Sequence, residues 1–172
     1  MPQSYFALFS LEPRFALRGE QLDIAYRTLA AQVHPDRYAN AAPAEQRLAL
    51  SLATSANEAY RTLKRPALRA QHLLSLRGVD SIDGGAGISP AFLLEQMEWR
   101  ELLSDAQAAR DCTALLQLGD LVRRRAADLL QQLELHLDVN GDNAAGARTV
   151  QQLMFVDKLL IDIDEACALL EA

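Results

Sequence analysis

His34, Pro35 and Asp36 are the consecutive residues of this sequence whose side chains are best suited to polar chemistry. An imidazole next to a carboxylate could serve a catalytic or metal site, but such sites need further ligands or acid–base groups close by. No second histidine and no cysteine lies nearby. Because proline ends a helix, the tripeptide is expected at a rigid tip between two helices. We interpret it as a polar docking point for another protein.

The other residues capable of chemistry are isolated from one another. Cys112 and Cys167 do not form a Cys-x-x-Cys pair, so zinc binding is not indicated. His72 and His136 each stand alone in a predicted helix, which is more typical of a surface or half-buried histidine than of a ligand. The basic run 123–125 is typical of a solvated helix face. An enzyme or a metal-binding protein would need clustered His, Cys or carboxylate groups, so we expect no catalytic residue, metal or cofactor.

The composition favours an all-α fold. Half of the 172 residues are hydrophobic, alanine and leucine predominate, and β-branched residues are few. The formal net charge of −6 disfavours non-specific nucleic-acid binding. The N-terminus lacks the basic and apolar regions of a signal peptide, and no apolar run is long enough to span a membrane. We therefore expect a soluble cytoplasmic protein without a membrane or nucleic-acid partner.

Charge and glycine content divide the chain into two predicted domains. Residues 1–76 carry 9 basic and 6 acidic side chains, a net charge of +3, whereas residues 77–172 carry 8 and 17, a net charge of −9. The glycine-rich segment 78–89 cannot sustain a helix, so we interpret it as a linker between domains at 1–77 and 90–172. The opposite charges of the two domains suggest that they have different partners.

The first domain is predicted to be a helical hairpin with two shorter helices. One amphipathic helix spans 19–33 and a second spans about 44–63, with short helices at 4–11 and 67–76. The tip at His34 joins the two long helices, which makes them antiparallel. The second long helix has an alanine-rich face that is expected to be buried, formed by Ala49, Leu52, Ala53, Ala56, Ala59, Tyr60 and Leu63.

The second domain is predicted to be a three-helix bundle. Helices are expected at 90–106, 111–137 and 147–170, where apolar residues recur at three- and four-residue spacing. Asparagine, glycine and aspartate at 140–142 predict a turn between the last two helices. The connections are short, so neighbouring helices are expected to be antiparallel.

The helix that begins at Pro90 carries two apolar faces, although a bundle helix needs only one. The face that suits the core consists of Phe92, Trp99, Leu102, Leu103 and Ala106. The second face consists of Leu93, Leu94 and Met97, beside Glu98, Glu101 and Asp105. An apolar stripe rimmed by acids indicates a protein-binding patch. Phe155 and Leu159 lie off the predicted core stripe of the last helix, and Phe155 either extends the patch or packs against the first domain.

The segments around the tip resemble a J-domain, the module of DnaJ-type co-chaperones. The resemblance rests on residues 25–30 (AYRTLA), 33–38 (VHPDRY) and 57–63 (NEAYRTL), and on the order and length of the helices. J-domains bind the ATP state of a DnaK-type chaperone and stimulate its ATP hydrolysis. The same activity is therefore the expectation for this chain.

The J-domain resemblance implies the residues that contact the chaperone, which are His34, Pro35, Asp36, Tyr26, Arg27 and Arg37. Physical chemistry agrees, since proline stiffens the tip and reduces the entropy lost on docking. Asp36 can accept charge-assisted hydrogen bonds from an arginine of the partner. Thr28 stands where many J-domains carry another basic residue, which predicts weaker electrostatic steering or a dedicated partner.

Nearly the whole chain is similar to the HscB family, the J-domain co-chaperones of iron–sulfur cluster assembly. The matching segments are 5–9, 73–78, 91–98 and 155–159. In that family the bundle binds the cluster scaffold IscU. The resemblance implies a scaffold-binding surface formed by Leu93, Leu94, Met97, Glu98, Glu101, Asp105 and Phe155. Methionine at 97 and aspartate at 105 replace a leucine and a longer glutamate but keep their chemical character.

The HscB resemblance implies a co-chaperone that binds IscU, delivers it to an HscA-type chaperone of the DnaK class and stimulates the ATPase of that chaperone. The protein itself is expected to catalyse no covalent chemistry and to bind the scaffold rather than the cluster. It begins directly with the J-domain-like segment, without the paired Cys-x-x-Cys zinc module of some eukaryotic relatives, which fits a bacterial form. The alternative is a general J-domain adaptor whose bundle binds an unrelated client.

Overall fold

The computed structural model describes residues 4–79 and 88–171. Within these ranges the regular elements are helical, which confirms the predicted all-α class. The chain divides into two compact units between Gly78 and Val79. The predicted linker at 78–89 lies mostly outside the described residues. No helix of the described part is both long and apolar enough to cross a membrane.

The N-terminal unit contains the predicted helical hairpin. It consists of α1 (Tyr5–Leu8), α2 (Gly19–Gln32), a 3-10 helix (Pro35–Tyr38), α3 (Pro43–Lys64) and α4 (Pro66–Leu76). The ends of α2, α3 and α4 agree with the predicted ends to within one residue. The 3-10 helix, α3 and α4 each begin with proline. Proline has no backbone N–H, and none is needed there because N–H groups in the first turn of a helix have no acceptor within the helix.

The second long helix, α3, buries small side chains, and an aromatic contact joins it to α2. Ala49, Ala56 and Ala59 of α3 are buried, as the sequence predicts. Between the helices, Tyr26 of α2 stacks on Tyr60 of α3 with 4.2 Å between ring centroids. The stacked tyrosines therefore join the two helices of the hairpin, while the buried alanines let α3 pack closely against its neighbours.

Polar contacts fasten the hairpin at the end opposite the tip. The Asp23 carboxylate of α2 accepts hydrogen bonds from Lys64 Nζ at 2.6 Å and from the Tyr60 hydroxyl at 2.9 Å, both on α3. These two donors, Lys64 first, lower the pKa of the Asp23 carboxyl. The Asp23 carboxylate is thus ionised, and its negative charge is paired with the positive charge of Lys64 in the same hairpin.

The short helix α1 docks onto α4 through His72. The backbone N–H of Tyr5 donates to His72 Nε2 at 3.0 Å, and the two rings stack with centroids 4.3 Å apart. Burial lowers the pKa of the His72 imidazole, which favours the neutral form that can accept this bond. His72 is therefore a structural residue of the N-terminal unit rather than a ligand.

The C-terminal unit is the predicted three-helix bundle. Its helices are α5 (Pro90–Ala109), α6 (Cys112–Glu134) and α7 (Asn143–Glu171), and α6 continues into a π-helical turn at Leu135–Val139. Helix α7 begins four residues before the predicted start at 147. The cause is a capping residue that the prediction treated only as part of the turn.

Each bundle helix begins at a side chain that caps it. Ser89, Asp111 and Asp142 each accept a hydrogen bond from the backbone N–H three residues ahead, at 3.2, 3.0 and 2.9 Å. Such a bond satisfies one of the N–H groups that a helix leaves unpaired at its start. Asp142 therefore lets α7 begin at Asn143, directly after the predicted turn.

Two predictions about the bundle core are wrong. Leu102 was expected in the core but is 51% exposed, because it lies roughly 80° around α5 from the centre of the buried face. Gln96 lies near that centre and is only 8% exposed. Leu159 was placed off the core stripe of α7 but is 3% exposed. Helix α7 packs against both α5 and α6, so its buried face is wider than a single stripe.

A glycine allows α7 to approach the π-helical turn closely. A Cβ atom added at Gly146 would clash with the Leu137 side chain, which is itself buried. The backbone N–H of Gly146 donates to the Asp142 carbonyl at 2.9 Å, which keeps it in the first turn of α7. Contact between the two elements therefore depends on the absence of a side chain at 146.

Candidate functional site

The predicted tip is a structured turn. His34 precedes the 3-10 helix in an extended conformation, and its Nδ1 accepts a hydrogen bond from the backbone N–H of Asp36 at 3.3 Å. His34 Nδ1 and Asp36 Oδ2 lie 3.6 Å apart. The two side chains are 58% and 89% exposed, so both are available to a partner. The histidine therefore caps the turn while presenting its ring.

Two side chains of the 3-10 helix tie the tip to the end of α2. Arg37 Nη1 donates to the Ala31 carbonyl at 3.2 Å, and the Tyr38 hydroxyl donates to the Gln32 carbonyl at 3.3 Å. These carbonyls belong to the last turn of α2, where no intrahelical donor reaches them. The tip is thus fixed by bonds to its immediate neighbours in the sequence.

The other residues predicted for this site lie on α2, two turns before the tip. Tyr26 is half-buried, and its hydroxyl donates to Asn57 Oδ1 of α3 at 2.6 Å while its ring stacks on Tyr60. Arg27 is exposed, and its Nε donates to the Asp23 carbonyl at 3.2 Å. Tyr26 therefore holds the hairpin together, whereas Arg27 offers a positive charge at the surface.

The second predicted surface lies on α5 and is called the α5 patch; it comprises Leu93, Leu94, Met97, Glu98, Glu101, Asp105 and Phe155. The apolar side chains Leu93, Leu94 and Met97 are 46%, 61% and 66% exposed. Three large apolar side chains within two helical turns are unusual on a solvent-facing surface. The three acids are exposed and form no ion pair with any residue in the described ranges.

Phe155 of α7 lies where α7 packs against α5. It is half-buried, and its ring meets that of Phe92 edge to face at 6.3 Å between centroids. The guanidinium of Arg100 lies over the same ring, 5.0 Å from its centroid. Phe155 therefore lies at the boundary between α7 and α5, against Phe92 and Arg100 of α5.

Sequence reasoning missed two residues at this place. Arg100 lies on α5 between the buried face and the exposed stripe, and it covers Phe155. Gln96, one turn away, is buried, and its Nε2 has no hydrogen-bond acceptor among the described residues. The helical wheel gives the position of both residues on α5. It gives no sign of the ring of α7 that Arg100 covers, because that contact depends on tertiary packing.

The other candidate residues, the basic run 123–125 and the two cysteines, make contacts within the bundle or lie half-buried in it. Arg125 of the basic run pairs with Glu95 of α5 at 3.2 Å, and Arg123 pairs with Asp120 at 3.3 Å. Both cysteines are reduced and half-buried. Within residues 4–79 and 88–171, no group of three or more His, Cys, Asp or Glu side chains could hold a metal ion.

Comparison with known proteins identifies relatives over nearly the full length. A family model described as the HSCB C-terminal oligomerisation domain matches residues 88–164. A co-chaperone protein HscB homolog of Aromatoleum aromaticum is 43% identical over 172 residues, with 99% of this chain and 97% of that protein covered. The homolog of Burkholderia vietnamiensis is 47% identical over 164 residues, with 95% and 93% covered.

Two solved structures have a similar fold. Chaperone HscB from Vibrio cholerae matches with a TM-score of 0.87 and 34% identity, covering 98% of this chain and 99% of that chain. Human co-chaperone protein HscB matches with the same TM-score and 22% identity, covering 95% and 81%. At the latter identity, the likeness concerns the fold alone.

Proposed function

This chain belongs to the HscB co-chaperone family, and from that premise we propose that it binds the scaffold protein IscU, delivers it to an HscA-type chaperone of the DnaK class and stimulates the ATPase of that chaperone. The process served is iron–sulfur cluster assembly. The chain does its work by contact, and the ATP hydrolysis takes place on the chaperone. Its place of action is the bacterial cytoplasm.

The α5 patch is the observation that carries this proposal. Leu93, Leu94 and Met97 are exposed on a helix whose opposite face already fills the bundle core. Burying them against a partner would remove apolar surface from water, which is the main driving force of association. The unpaired acids beside them favour a partner with basic side chains around an apolar centre. We assign this surface to IscU.

The tip is the surface that we assign to the chaperone. His34, Pro35 and Asp36 form its contact, with Arg37 beside them and Arg27 on α2 contributing positive charge. Tyr26 supports this surface by holding α2 against α3. Because His34, Arg37 and Tyr38 already bond to neighbouring backbone atoms, the tip loses little conformational entropy on docking.

Steady-state ATP hydrolysis by the HscA-type chaperone tests the proposal, with and without IscU. The wild-type chain is expected to increase the rate several-fold, and IscU is expected to increase it further. His34→Gln is expected to abolish the stimulation while the circular dichroism spectrum stays unchanged. His136→Gln is the matched control, since it makes the same substitution at a half-buried histidine of the bundle and should stimulate like wild type.

The proposal fails if His34→Gln stimulates as strongly as the wild type. A wild-type chain that stimulates the chaperone but does not bind IscU would instead indicate an adaptor for another client. The two outcomes are read from different measurements, the rate of ATP hydrolysis and the binding of the scaffold.

A further inference from the structure

Helix α2 exposes an isoleucine that does not contribute to the packing of the hairpin. Ile24 is 60% exposed, and among the residues of α2, all of which the structure describes, it is the one large apolar side chain at the surface. Leu22, which α2 buries, lies about 160° away around the helix. Ile24 therefore lies on the side of α2 opposite its buried residue.

The exposed side of α2 leads to the tip. Ile24, Arg27, Thr28 and Ala31 are all exposed and recur at three- and four-residue spacing, so they share one face, which is called the α2 stripe. At the end of this stripe the Ala31 carbonyl accepts a hydrogen bond from Arg37 of the tip at 3.2 Å. A protein that docks on the tip and contacts Arg27 would therefore also cover Ile24.

The polar groups of the α2 stripe are partly used within the helix. The Thr28 hydroxyl donates to the Ile24 carbonyl at 2.9 Å, and Arg27 Nε donates to the Asp23 carbonyl at 3.2 Å. The stripe therefore offers a partner mainly the apolar surface of Ile24 and Ala31, beside the terminal amino groups of a single guanidinium.

The charge of α2 does not favour an acidic partner surface. Its charged side chains are Glu20, Asp23 and Arg27, one basic and two acidic, which gives a net charge of −1. Thr28 stands where many J-domains carry another basic residue. Electrostatic attraction along this helix is therefore weak, and affinity for a partner has to come from the burial of apolar surface at short range.

We infer that Ile24 is a specificity-determining residue of the chaperone contact and docks against an apolar site on the HscA-type chaperone. The inference rests on the proposed function, since it states which kind of chaperone surface fits α2. A DnaK-class chaperone with an acidic surface at this place would gain little from α2 and would leave Ile24 against polar groups. Such a mismatch rejects an incorrect partner.

Steady-state ATP hydrolysis, titrated with variants of the full chain, tests the inference. Ile24→Ala is expected to raise the concentration for half-maximal stimulation of the HscA-type chaperone about tenfold, because most of the buried apolar area is lost. Ile24→Lys should raise it about 100-fold, since a charge would enter an apolar site. Ile24→Leu should stay within about twofold of wild type, because it keeps the apolar volume. The maximal stimulated rate should not change, since the tip is intact.

The matched controls are Ile161→Ala and Ile161→Lys. They make the same substitutions at an isoleucine of α7 that is 46% exposed and lies in the other unit of the chain. Both controls should stimulate the chaperone like wild type. Equal effects of the substitutions at 24 and at 161 would overturn the inference, as would wild-type behaviour of Ile24→Lys.

The same titration with a general DnaK-type chaperone tests the selectivity. The wild-type chain should need a higher concentration for this chaperone than for the HscA-type one. Ile24→Lys should narrow that difference about tenfold or more, because it weakens the apolar contact and adds a charge that attracts an acidic surface. An equal loss with both chaperones would mean that Ile24 adds affinity without selecting the partner, and would overturn the inference.

Thermal unfolding followed by circular dichroism separates the contact from a loss of fold. Because Ile24 is exposed, its variants should unfold at the wild-type temperature. Weaker stimulation that only accompanies a lower unfolding temperature would mean that Ile24 supports the hairpin, and would overturn the inference. A wild-type chain that does not stimulate the HscA-type chaperone at all would instead show that the proposed function itself is wrong.

Discussion

The tip and the α5 patch are both exposed, but the polar side chains of the tip are bonded within the chain and those of the patch are not. At the tip, His34, Arg37 and Tyr38 bond to backbone atoms a few residues away. In the patch, the exposed acids Glu98, Glu101 and Asp105 have no ion-pair partner within the part of the chain that the structure describes. The tip is stiff because its side chains already form hydrogen bonds within the chain. The acids of the patch form no ion pair within the described residues, so they are available to a partner.

This difference indicates how each surface depends on the rest of the molecule. The tip is built from residues 31–38, which bond to the end of α2 and pack against α3. The α5 patch combines residues of α5 and α7, so it needs the bundle core to bring Phe155 beside Arg100. Damage to the bundle core is therefore expected to abolish the patch, and local changes at the tip are expected to leave the patch intact.

The largest expected effect is the loss of IscU binding without any loss of chaperone stimulation. Replacing Leu93, Met97 and Phe155 together by alanine should weaken IscU binding by roughly 100-fold or more, because buried apolar anchors carry most of the energy of an interface. Stimulation of the chaperone without IscU should not change. Calorimetry measures the binding, and the rate of ATP hydrolysis measures the stimulation.

The matched control for this triple variant replaces Leu116, Leu135 and Ile161 by alanine. These residues are 52%, 48% and 46% exposed on α6, the π-helical turn and α7, outside the patch. They should bind IscU like wild type. A loss of affinity equal to that of the patch variant would mean that apolar area in general, rather than this patch, holds the scaffold.

A smaller effect is expected from the acidic rim. Neutralising it with Glu98→Gln, Glu101→Gln and Asp105→Asn should slow association with IscU about tenfold at low salt, because rim charges steer the encounter more than they hold the complex. The difference from wild type should shrink as salt increases, since exposed charges are screened. Stopped-flow kinetics over a range of sodium chloride concentrations measures both. An unchanged association rate at low salt would contradict the role of these charges.

A still smaller effect is expected from loosening the tip without changing its contact groups. Tyr38→Phe removes the hydroxyl that donates to Gln32 and leaves His34 and Asp36 unchanged. An exposed hydrogen bond contributes up to about 1 kcal/mol, so the concentration for half-maximal stimulation should rise about two- to fivefold. Thr54→Ala is the control, because it removes a bond from a side chain to the Leu50 carbonyl on α3. Equal behaviour of the two variants would show that stiffness at the tip is unimportant.

The smallest expected effect concerns the docking of α1. The pKa of His72 is lowered in the folded protein, so the unfolded chain binds more protons, and the stability present above pH ~6.5 is lost as the pH falls below that value. Protonated Nε2 cannot accept from the Tyr5 N–H. Exchange of the Tyr5 amide with deuterium should therefore show decreasing protection between pH 7 and pH 5.

The control for this effect is His72→Gln, which retains an acceptor that does not titrate and should show protection independent of pH. Burial, and after it a hydrogen bond with Glu58 of α3, raises the pKa of the Tyr5 hydroxyl, so that hydroxyl does not titrate between pH 7 and pH 5. Stimulation of the chaperone at pH 6 should be unchanged, since the tip bonds to α2 and packs against α3 rather than α1. A loss of stimulation that follows the amide exchange would contradict that independence.

The features that depend on short stretches of sequence could be predicted well. The long helices, the rigid tip and the exposed stripe on α5 all follow from periodicity and from proline, which act within one or two turns. The errors have a different origin. Leu102, Leu159 and the start of α7 were misplaced because burial and capping depend on which neighbours a helix meets.

The candidate site follows the same division. Leu93, Leu94 and Met97 are recognisable from the wheel of α5 alone, because that helix needs only one buried face. Arg100 cannot be recognised in that way, since it lies over the ring of Phe155, which is 55 positions later in the chain. A residue that acts through a contact between helices acquires its role only when the helices pack.

Gly146 has a consequence for how such chains can diverge. Its backbone lies against the side chain of Leu137, and a methyl group at 146 would collide with it. A larger residue could be accepted at 146 only together with a smaller one at 137, because residues in direct contact do not change independently. The two positions are therefore expected to covary among related sequences, with a glycine opposite each large side chain and alanine or serine only opposite a shorter one.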